Sequence, residues 1–161
     1  MYEYDCKDFS WWLVESSGIP FGLMGEMLHG GGNPWRGMIF GMGTRYYGEN
    51  NPGPMWEFWD KTDIKNTRMY GYWDKKIPVG CSCDDIKVTV YMREDLTLIC
   101  AASWSGKNEN AYFTYDNNLA VTPETRLYAP YIEGIQEEKS FCAHQFIDFP
   151  MGRGWFLILR K

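Results

Sequence analysis

The stretch from Lys87 to Trp104, KVTVYMREDLTLICAASW, decides the fold of this 161-residue chain. On both sides of a tight turn at residues 93–95, apolar side chains alternate with other side chains, several of them smaller or polar. A period of two is typical of a β-strand, and two such runs around a short turn indicate a hairpin. The stretch therefore predicts two antiparallel strands in the second half of the chain.

Further short strands are indicated between this hairpin and the C-terminus. Turn residues at 105–108 (SGKN) end the hairpin, and Pro130 suits a strand at the edge of a sheet. Short strands at intervals of roughly 8–12 residues, with turn signals between them, predict a sandwich or a barrel. The predicted strands lie within residues 111–115, 126–132, 140–143, 145–149 and 155–159.

The N-terminal part of the chain has a different pattern, because apolar residues there recur with the period of a helix. Helices are predicted at residues 8–16, after an N-cap at Asn33 with Pro34 in the first turn, and from Pro54 onward. A short apolar run at residues 21–28 has the length of one buried strand. This part is therefore predicted to be helical and rich in loops.

We predict two regions, a helical segment at residues 1–66 and a β-sandwich domain at residues 67–161 that folds by itself. The helices carry apolar faces that the single short strand cannot bury. We expect these faces to drive self-association or to need a partner, and the alternative is that they pack against the sandwich. The side chains concerned are Phe9, Trp12, Leu13, Trp35, Met38, Ile39, Met42, Met55, Phe58 and Trp59.

The composition excludes some classes of function. Aromatic residues make up 17% of the chain, and surplus aromatic rings usually line a sugar- or base-stacking surface or cover an interface. The formal net charge of −5 argues against a nucleic-acid partner, because a phosphate backbone requires a basic patch. No run of about 18 apolar residues predicts a membrane helix, so no membrane partner is expected.

The cysteines predict neither a metal site nor a cofactor. Only one residue separates Cys81 from Cys83, whereas paired zinc ligands usually have two to four residues between them. The two histidines, His29 and His144, are far from that pair in sequence. We therefore expect reduced structural thiols at the five cysteines, Cys6, Cys81, Cys83, Cys100 and Cys142.

The candidate functional residues lie within residues 25–36, GEMLHGGGNPWR. A strand with a carboxylate near its end, followed by a Gly-rich loop and a helix, is how a β/α unit presents residues at the C-terminal face of a barrel. Glu26 is the candidate catalytic residue, and His29, Trp35 and Arg36 are candidates for binding substrate, with Trp35 stacking on a pyranose ring. The structural alternative is that Glu26 pairs with Arg36 and that Trp35 belongs to the core.

Several stretches of the chain resemble one family. Residues 20–38 (PFGLMGEMLHGGGNPWRGM) resemble the closing part of the barrel in bacterial glycoside-hydrolase-like proteins related to glycoside hydrolase family 123. The motifs WEFWD and MYGYW are similar to the junction between barrel and sandwich in these proteins. The motifs TLICAASW and GRGWFLIL are similar to their C-terminal β-domain. The four motifs begin at residues 56, 69, 97 and 152.

The resemblance implies a (β/α)8 barrel with a β-sandwich packed behind it, acting on glycans. The implied fold class is mainly β, with a C-terminal antiparallel β-sandwich preceded by a helical, barrel-derived α/β segment. A full barrel takes about 250 residues, which is far more than precede the predicted sandwich. We therefore carry over the architecture and the substrate class from the family to this chain, but we assign no catalytic pair.

Three functions are consistent with these observations. The leading one is the C-terminal portion of a glycoside-hydrolase-like, glycan-acting protein that is not catalytically complete by itself, with a glycan and the missing barrel portion as partners. The resemblance then implies a secreted or periplasmic location. The second is an independent carbohydrate-binding β-sandwich, and the third is a structural or interaction module. An exposed row of aromatic side chains on one face of the sandwich favours the second.

Overall fold

The computed structural model describes residues 33–41 and 51–160, which form two α-helices, two 3₁₀ helices and ten β-strands. The predicted helix at 8–16, the predicted strand at 21–28, and Glu26 and His29 lie outside the described residues. The helices are α1 (Pro34–Ile39), α2 (Gly53–Thr62) and the 3₁₀ helices Ile64–Asn66 and Asn117–Leu119. The strands are β1 (Arg68–Tyr70), β2 (Val79–Cys81), β3 (Ile86–Arg93), β4 (Leu96–Ser103), β5 (Glu109–Ala111), β6 (Phe113–Tyr115), β7 (Arg126–Ala129), β8 (Lys139–Cys142), β9 (Ile147–Phe149) and β10 (Gly154–Arg160).

The predicted hairpin is confirmed as β3 and β4. The two strands pair from Ile86 opposite Ser103 to Arg93 opposite Leu96, so that only two residues form the turn. Arg93 stabilises this turn by donating from Nε to Oδ1 of Asp95 at 2.5 Å. That hydrogen bond is the main reason that the pKa of the Asp95 carboxyl lies below its usual value.

All of the described strands pair in antiparallel fashion, which confirms a mainly β domain in the C-terminal part of the chain. The main sheet has six strands in the order β1-β3-β4-β10-β7-β8. Two smaller sheets of two strands each are formed by β2 with β6 and by β5 with β9. The hairpin supplies two of the inner strands of the main sheet, and β10 lies beside it.

The two smaller sheets cover one face of the main sheet and create the first apolar core. Val88 and Val90 of β3, Ile99 of β4 and Leu157 of β10 point to this side. Side chains of all four short strands meet them there, and Phe149 of β9 is completely buried. Because two layers of antiparallel sheet enclose this core, this half of the domain is a β-sandwich.

The two α-helices cover the opposite face of the main sheet and create a second apolar core. Tyr91, Leu98 and Phe156 point to this side, and each is completely buried. Five consecutive residues of β4, from Leu98 to Ala102, are therefore inaccessible to solvent. The alternation in the sequence indicated one apolar face for this strand, whereas the sheet is buried on both faces.

Local sequence explains where the two helices begin and end. The side chain of Asn33 accepts a hydrogen bond from the backbone N–H of Arg36 at 3.0 Å, and Pro34 occupies the first turn, as predicted. Helix α2 begins at Gly53, one residue before the predicted start at Pro54. It ends at Thr62, and the C-cap residue Asp63 has a left-handed φ of 49° that stops the helix before the 3₁₀ helix Ile64–Asn66.

The apolar faces of the helices contact the main sheet of the same chain. Trp35, Met38 and Ile39 of α1 and Met55 and Phe58 of α2 are buried in the second core, and Trp59 packs partly against it. This packing corresponds to the alternative stated in the sequence analysis, in which the apolar helix faces pack against the sandwich. Self-association of the chain stays a prediction. Phe9, Trp12, Leu13 and Met42 lie outside the described residues.

The prediction that Pro130 lies on an edge strand is wrong. Strand β7 pairs with β10 on one side and with β8 on the other, so it is an inner strand of the sheet. Pro130 is tolerated because it follows the last paired residue, Ala129, and therefore interrupts no ladder hydrogen bond. Its carbonyl oxygen accepts a hydrogen bond from Nε2 of Gln136 at 2.8 Å.

Candidate functional site

Trp35, a candidate for sugar stacking, lies in the core between α1 and the main sheet. Its ring stacks on Phe156 with centroids 6.5 Å apart, and the Arg153 guanidinium lies 4.8 Å from its ring centroid. Only 8% of the residue is exposed. Because a pyranose needs an open ring face, this position corresponds to the core alternative for Trp35. A substrate-binding role for Trp35 stays a prediction.

Arg36, the second described candidate, ties α1 to the end of β4. Its Nε donates a hydrogen bond to the carbonyl oxygen of Ser103 at 3.0 Å, and its guanidinium lies 5.0 Å from the ring centroid of Trp104. The residue is 9% exposed. A guanidinium held in this way supports the strand end through a charge-assisted hydrogen bond. Its predicted pairing with Glu26 and its substrate-binding role are not tested by these contacts.

Three further side-chain hydrogen bonds join α1 and its cap to the β domain. Asn33 donates from Nδ2 to the carbonyl oxygen of Gly152 at 2.6 Å. The hydroxyl groups of Tyr91 and Thr89 donate to the carbonyl oxygens of Met38 and Ile39, at 2.6 and 2.8 Å.

The two hydroxyl donors meet a specific requirement of α1. The last carbonyl groups of any helix lack partners within the helix, and leaving one buried without a partner costs about 1–3 kcal/mol. Thr89 of β3 provides this partner for Ile39, and Tyr91 provides one for Met38, whose carbonyl oxygen also accepts from the Gly41 N–H at 3.4 Å. Burial raises the pKa of the Tyr91 hydroxyl well above its ordinary value, so it remains a neutral donor at physiological pH.

A group of aromatic rings surrounds Phe40 at the C-terminal end of α1. The Phe40 ring stacks on Trp73 at 6.3 Å and meets Tyr72 and Trp104 edge to face at 6.1 and 6.2 Å. Trp73 remains partly exposed. Part of the aromatic content of the sequence is therefore used to pack the end of α1 onto the β domain.

A second aromatic surface lies in the layer of small sheets, on the other side of the main sheet from α1. We call it the aromatic cleft, and it encloses about 560 Å³. Phe146, although it does not line the cleft itself, contacts Tyr112 at its rim edge to face, with centroids 5.1 Å apart. The residues that line the cleft are Tyr112, Phe113, Thr114, Tyr115, Asp116, Asn117, Ala120, Val121 and His144.

Strand pairing explains why Tyr112 and Phe146 meet. Ala111 of β5 lies opposite Ile147 of β9, so Tyr112, which follows β5, lies beside Phe146, which precedes β9. Ser82 fixes the backbone of Tyr112 from the other side. Its N–H donates to the Tyr112 carbonyl oxygen at 3.0 Å, and its hydroxyl accepts from the Tyr112 N–H at 3.0 Å.

Within the motif Cys81-Ser82-Cys83, the serine therefore has a structural role, because it holds Tyr112 of the cleft in place. Burial raises the pKa of the Cys81 thiol, which favours the protonated thiol. Within residues 33–41 and 51–160, no three His, Cys, Asp or Glu side chains come together as metal ligands.

A third surface, the α2 groove, lies between α2 and the segment that follows β7, with a volume of about 510 Å³. Tyr131 is exposed there, and three carboxylates, Glu57, Glu133 and Glu138, line the groove. Glu57 already forms an ion pair of 2.7 Å with Lys61. Acidic groups alone do not identify a catalytic pair, which needs two carboxyl groups held on either side of a scissile bond.

Family models identify relatives of the chain. The model "Glycoside hydrolase 123, C-terminal domain" matches residues 51–160, and the model "Glycoside hydrolase 123, TIM-barrel domain" matches residues 1–47. Helix α1 falls in the part that matches the barrel, whereas α2 and all ten described strands fall in the part that matches the C-terminal domain. A search of curated proteins returned no match. Among the described helices, none combines the length and apolar character needed to cross a bilayer.

Proposed function

Because this chain belongs to the glycoside hydrolase 123 family, we propose that it is the C-terminal portion of a glycan-acting protein and is not catalytically complete by itself. Residues 1–47 match the barrel model, whereas a whole barrel takes about 250 residues. Catalytic residues in such barrels come from the ends of several different strands. A segment of this length carries too few strands to supply them.

Within that protein, the β domain holds the closing segment of the barrel in place. The observation that supports this role is the position of α1, which belongs to the barrel-matching part and yet packs in the core of the β domain. Buried hydrogen bonds from Tyr91 and Thr89 fix the end of α1. This contact then makes the catalytic face of the barrel more rigid.

The shared core also bears on the alternative of an independent carbohydrate-binding module. An independent module carries its own complete core and is joined to its neighbour by an exposed linker. Here one face of the main sheet is completed by α1 and α2. The packing therefore supports an integral part of a larger glycan-acting protein over a module that merely accompanies it.

We expect the isolated chain to release no product from a panel of aryl-glycosides above the rate of a buffer blank. The physical reason is that glycoside hydrolysis normally needs two carboxyl groups, whereas the sequence singles out only Glu26 as a candidate. The matched control is Glu26→Gln, which removes the one carboxylate that the sequence singles out as a candidate. Product release by the unaltered chain that Glu26→Gln abolishes would contradict the proposal and make Glu26 catalytic.

A further inference from the structure

We propose that the aromatic cleft is a non-catalytic binding site for an uncharged oligosaccharide. The inference rests on the proposed glycan-acting function but concerns a different part of the molecule. The cleft lies in the small-sheet layer, on the opposite side of the main sheet from α1. A glycan held there is bound away from α1.

Two exposed aromatic rings supply the stacking surface. Tyr112 is 40% exposed and Phe146 is 60% exposed, and their rings are inclined by 78° with centroids 5.1 Å apart. The C–H groups on one face of a pyranose pack favourably on the negative face of an aromatic ring. Rings at nearly a right angle offer one sugar a stacking face and an adjacent wall.

The remaining lining gives the cleft polar groups but no Lys or Arg. The side chains of Thr114, Asp116, Asn117 and His144 provide hydrogen-bond donors and acceptors of the kind that sugar hydroxyl groups require. The lining contains one carboxylate and neither Lys nor Arg. An anionic glycan would therefore meet the Asp116 carboxylate with no Lys or Arg in the lining to balance it, and the fitting ligand is uncharged.

The cleft is also held rigid before any ligand binds, which reduces the entropy lost on binding. Ser82 fixes the backbone of Tyr112 through two hydrogen bonds of 3.0 Å. The Tyr115 hydroxyl donates to the Ala143 carbonyl oxygen at 2.8 Å, and its ring meets His144 edge to face at 5.9 Å. The backbone N–H of Asp116 donates to the Pro78 carbonyl oxygen at 2.8 Å. The volume of about 560 Å³ is within the range of small-ligand sites.

The test is a titration of the full chain with cellotriose, chitotriose and trigalacturonic acid. Binding is measured by changes in NMR chemical shifts and by calorimetry. We expect at least one of the two uncharged trisaccharides to bind and the acidic one not to bind. Removing the Tyr112 ring from the lining, or the Phe146 ring from the rim, by Tyr112→Ala or Phe146→Ala, is expected to weaken that binding about tenfold or more. The matched control is Tyr131→Ala, which removes an equally exposed ring from the α2 groove and is expected to leave the affinity unchanged.

Thermal unfolding of each variant checks that loss of binding is not loss of fold, and Phe146 is the safer position because most of its surface is exposed. The inference is overturned if neither uncharged trisaccharide binds, or if binding survives both Tyr112→Ala and Phe146→Ala. Binding lost only in Tyr131→Ala would assign the glycan to the α2 groove instead. None of these results contradicts the proposed glycan-acting function. That proposal is tested separately, by the turnover of aryl-glycosides and by the packing of α1.

Discussion

Replacing Gly154 with alanine is expected to lower the free energy of unfolding of the chain by about 3 kcal/mol or more. A Cβ atom at this position would collide with the carbonyl oxygen of Ala101 and would lie 2.8 Å from the Cβ of Trp35 and 2.9 Å from the Cα of Ala102. These atoms belong to the backbone or lie next to it, so no flexible side chain can move aside. Strand β10, strand β4 or helix α1 must shift instead, and urea unfolding of the full chain measures the loss.

Gly106→Ala is the matched control for this substitution. A Cβ atom at Gly106 meets nothing within 4 Å, and the residue lies in an exposed turn. We expect its effect to stay within about 0.5 kcal/mol. If the Gly154→Ala variant were as stable as the Gly106→Ala variant, then α1 and the two central strands would not be as closely packed as described.

The sequence alone predicted that the sandwich folds by itself, but the core that it shares with the helices leads us to the opposite expectation. A chain shortened to residues 68–161 is expected to lose its cooperative unfolding transition, whereas a chain that begins at residue 33 is expected to keep it. The shorter chain lacks α1 and α2, which leaves Tyr91, Leu98 and Phe156 on an open sheet face. Each large apolar side chain returned to water forgoes about 1.5–3 kcal/mol. Since a whole domain is stable by only about 5–15 kcal/mol, the loss consumes most or all of its stability.

Urea unfolding followed by tryptophan fluorescence compares the two shortened chains. The boundary predicted from the sequence, between residues 66 and 67, remains a prediction until this comparison is made. A sharp transition in the chain of residues 68–161, at the same midpoint as in the longer chain, would support that boundary. It would also show that the helices add nothing to the stability of the sheet.

The hairpin could be predicted from the sequence because its information is local. Alternating apolar residues and the turn at residues 93–95 are sufficient to indicate two adjacent strands, and the observed register agrees with them. Burial on both faces was harder to predict, because it depends on elements far away in the chain. The unbroken apolar run from Leu98 to Ala102 carried that signal, since strands buried on both faces lose their alternation.

The candidate site depended more strongly on long-range contacts. An indole ring has the same chemistry in a core and on a sugar-binding surface, so the sequence left both roles open for Trp35, and its contact with Phe156 places it in the core. The aromatic cleft was not located, although the aromatic content predicted a stacking surface. Tyr112 and Phe146 become neighbours only through the pairing of β5 with β9, which a single sequence does not reveal.

The central claim is that α1 and the β domain form one cooperative unit, and native-state hydrogen exchange tests it most directly. The amides of Gly37 and Phe40, bonded to the carbonyl oxygens of Asn33 and Gly37 at 2.9 Å, report on α1. The amides of Ile99 and Cys100 report on the centre of β4. We predict the same free energy of opening for both pairs, because opening α1 uncovers the sheet. Exchange of the α1 amides that is orders of magnitude faster, with β4 still protected, would contradict the claim.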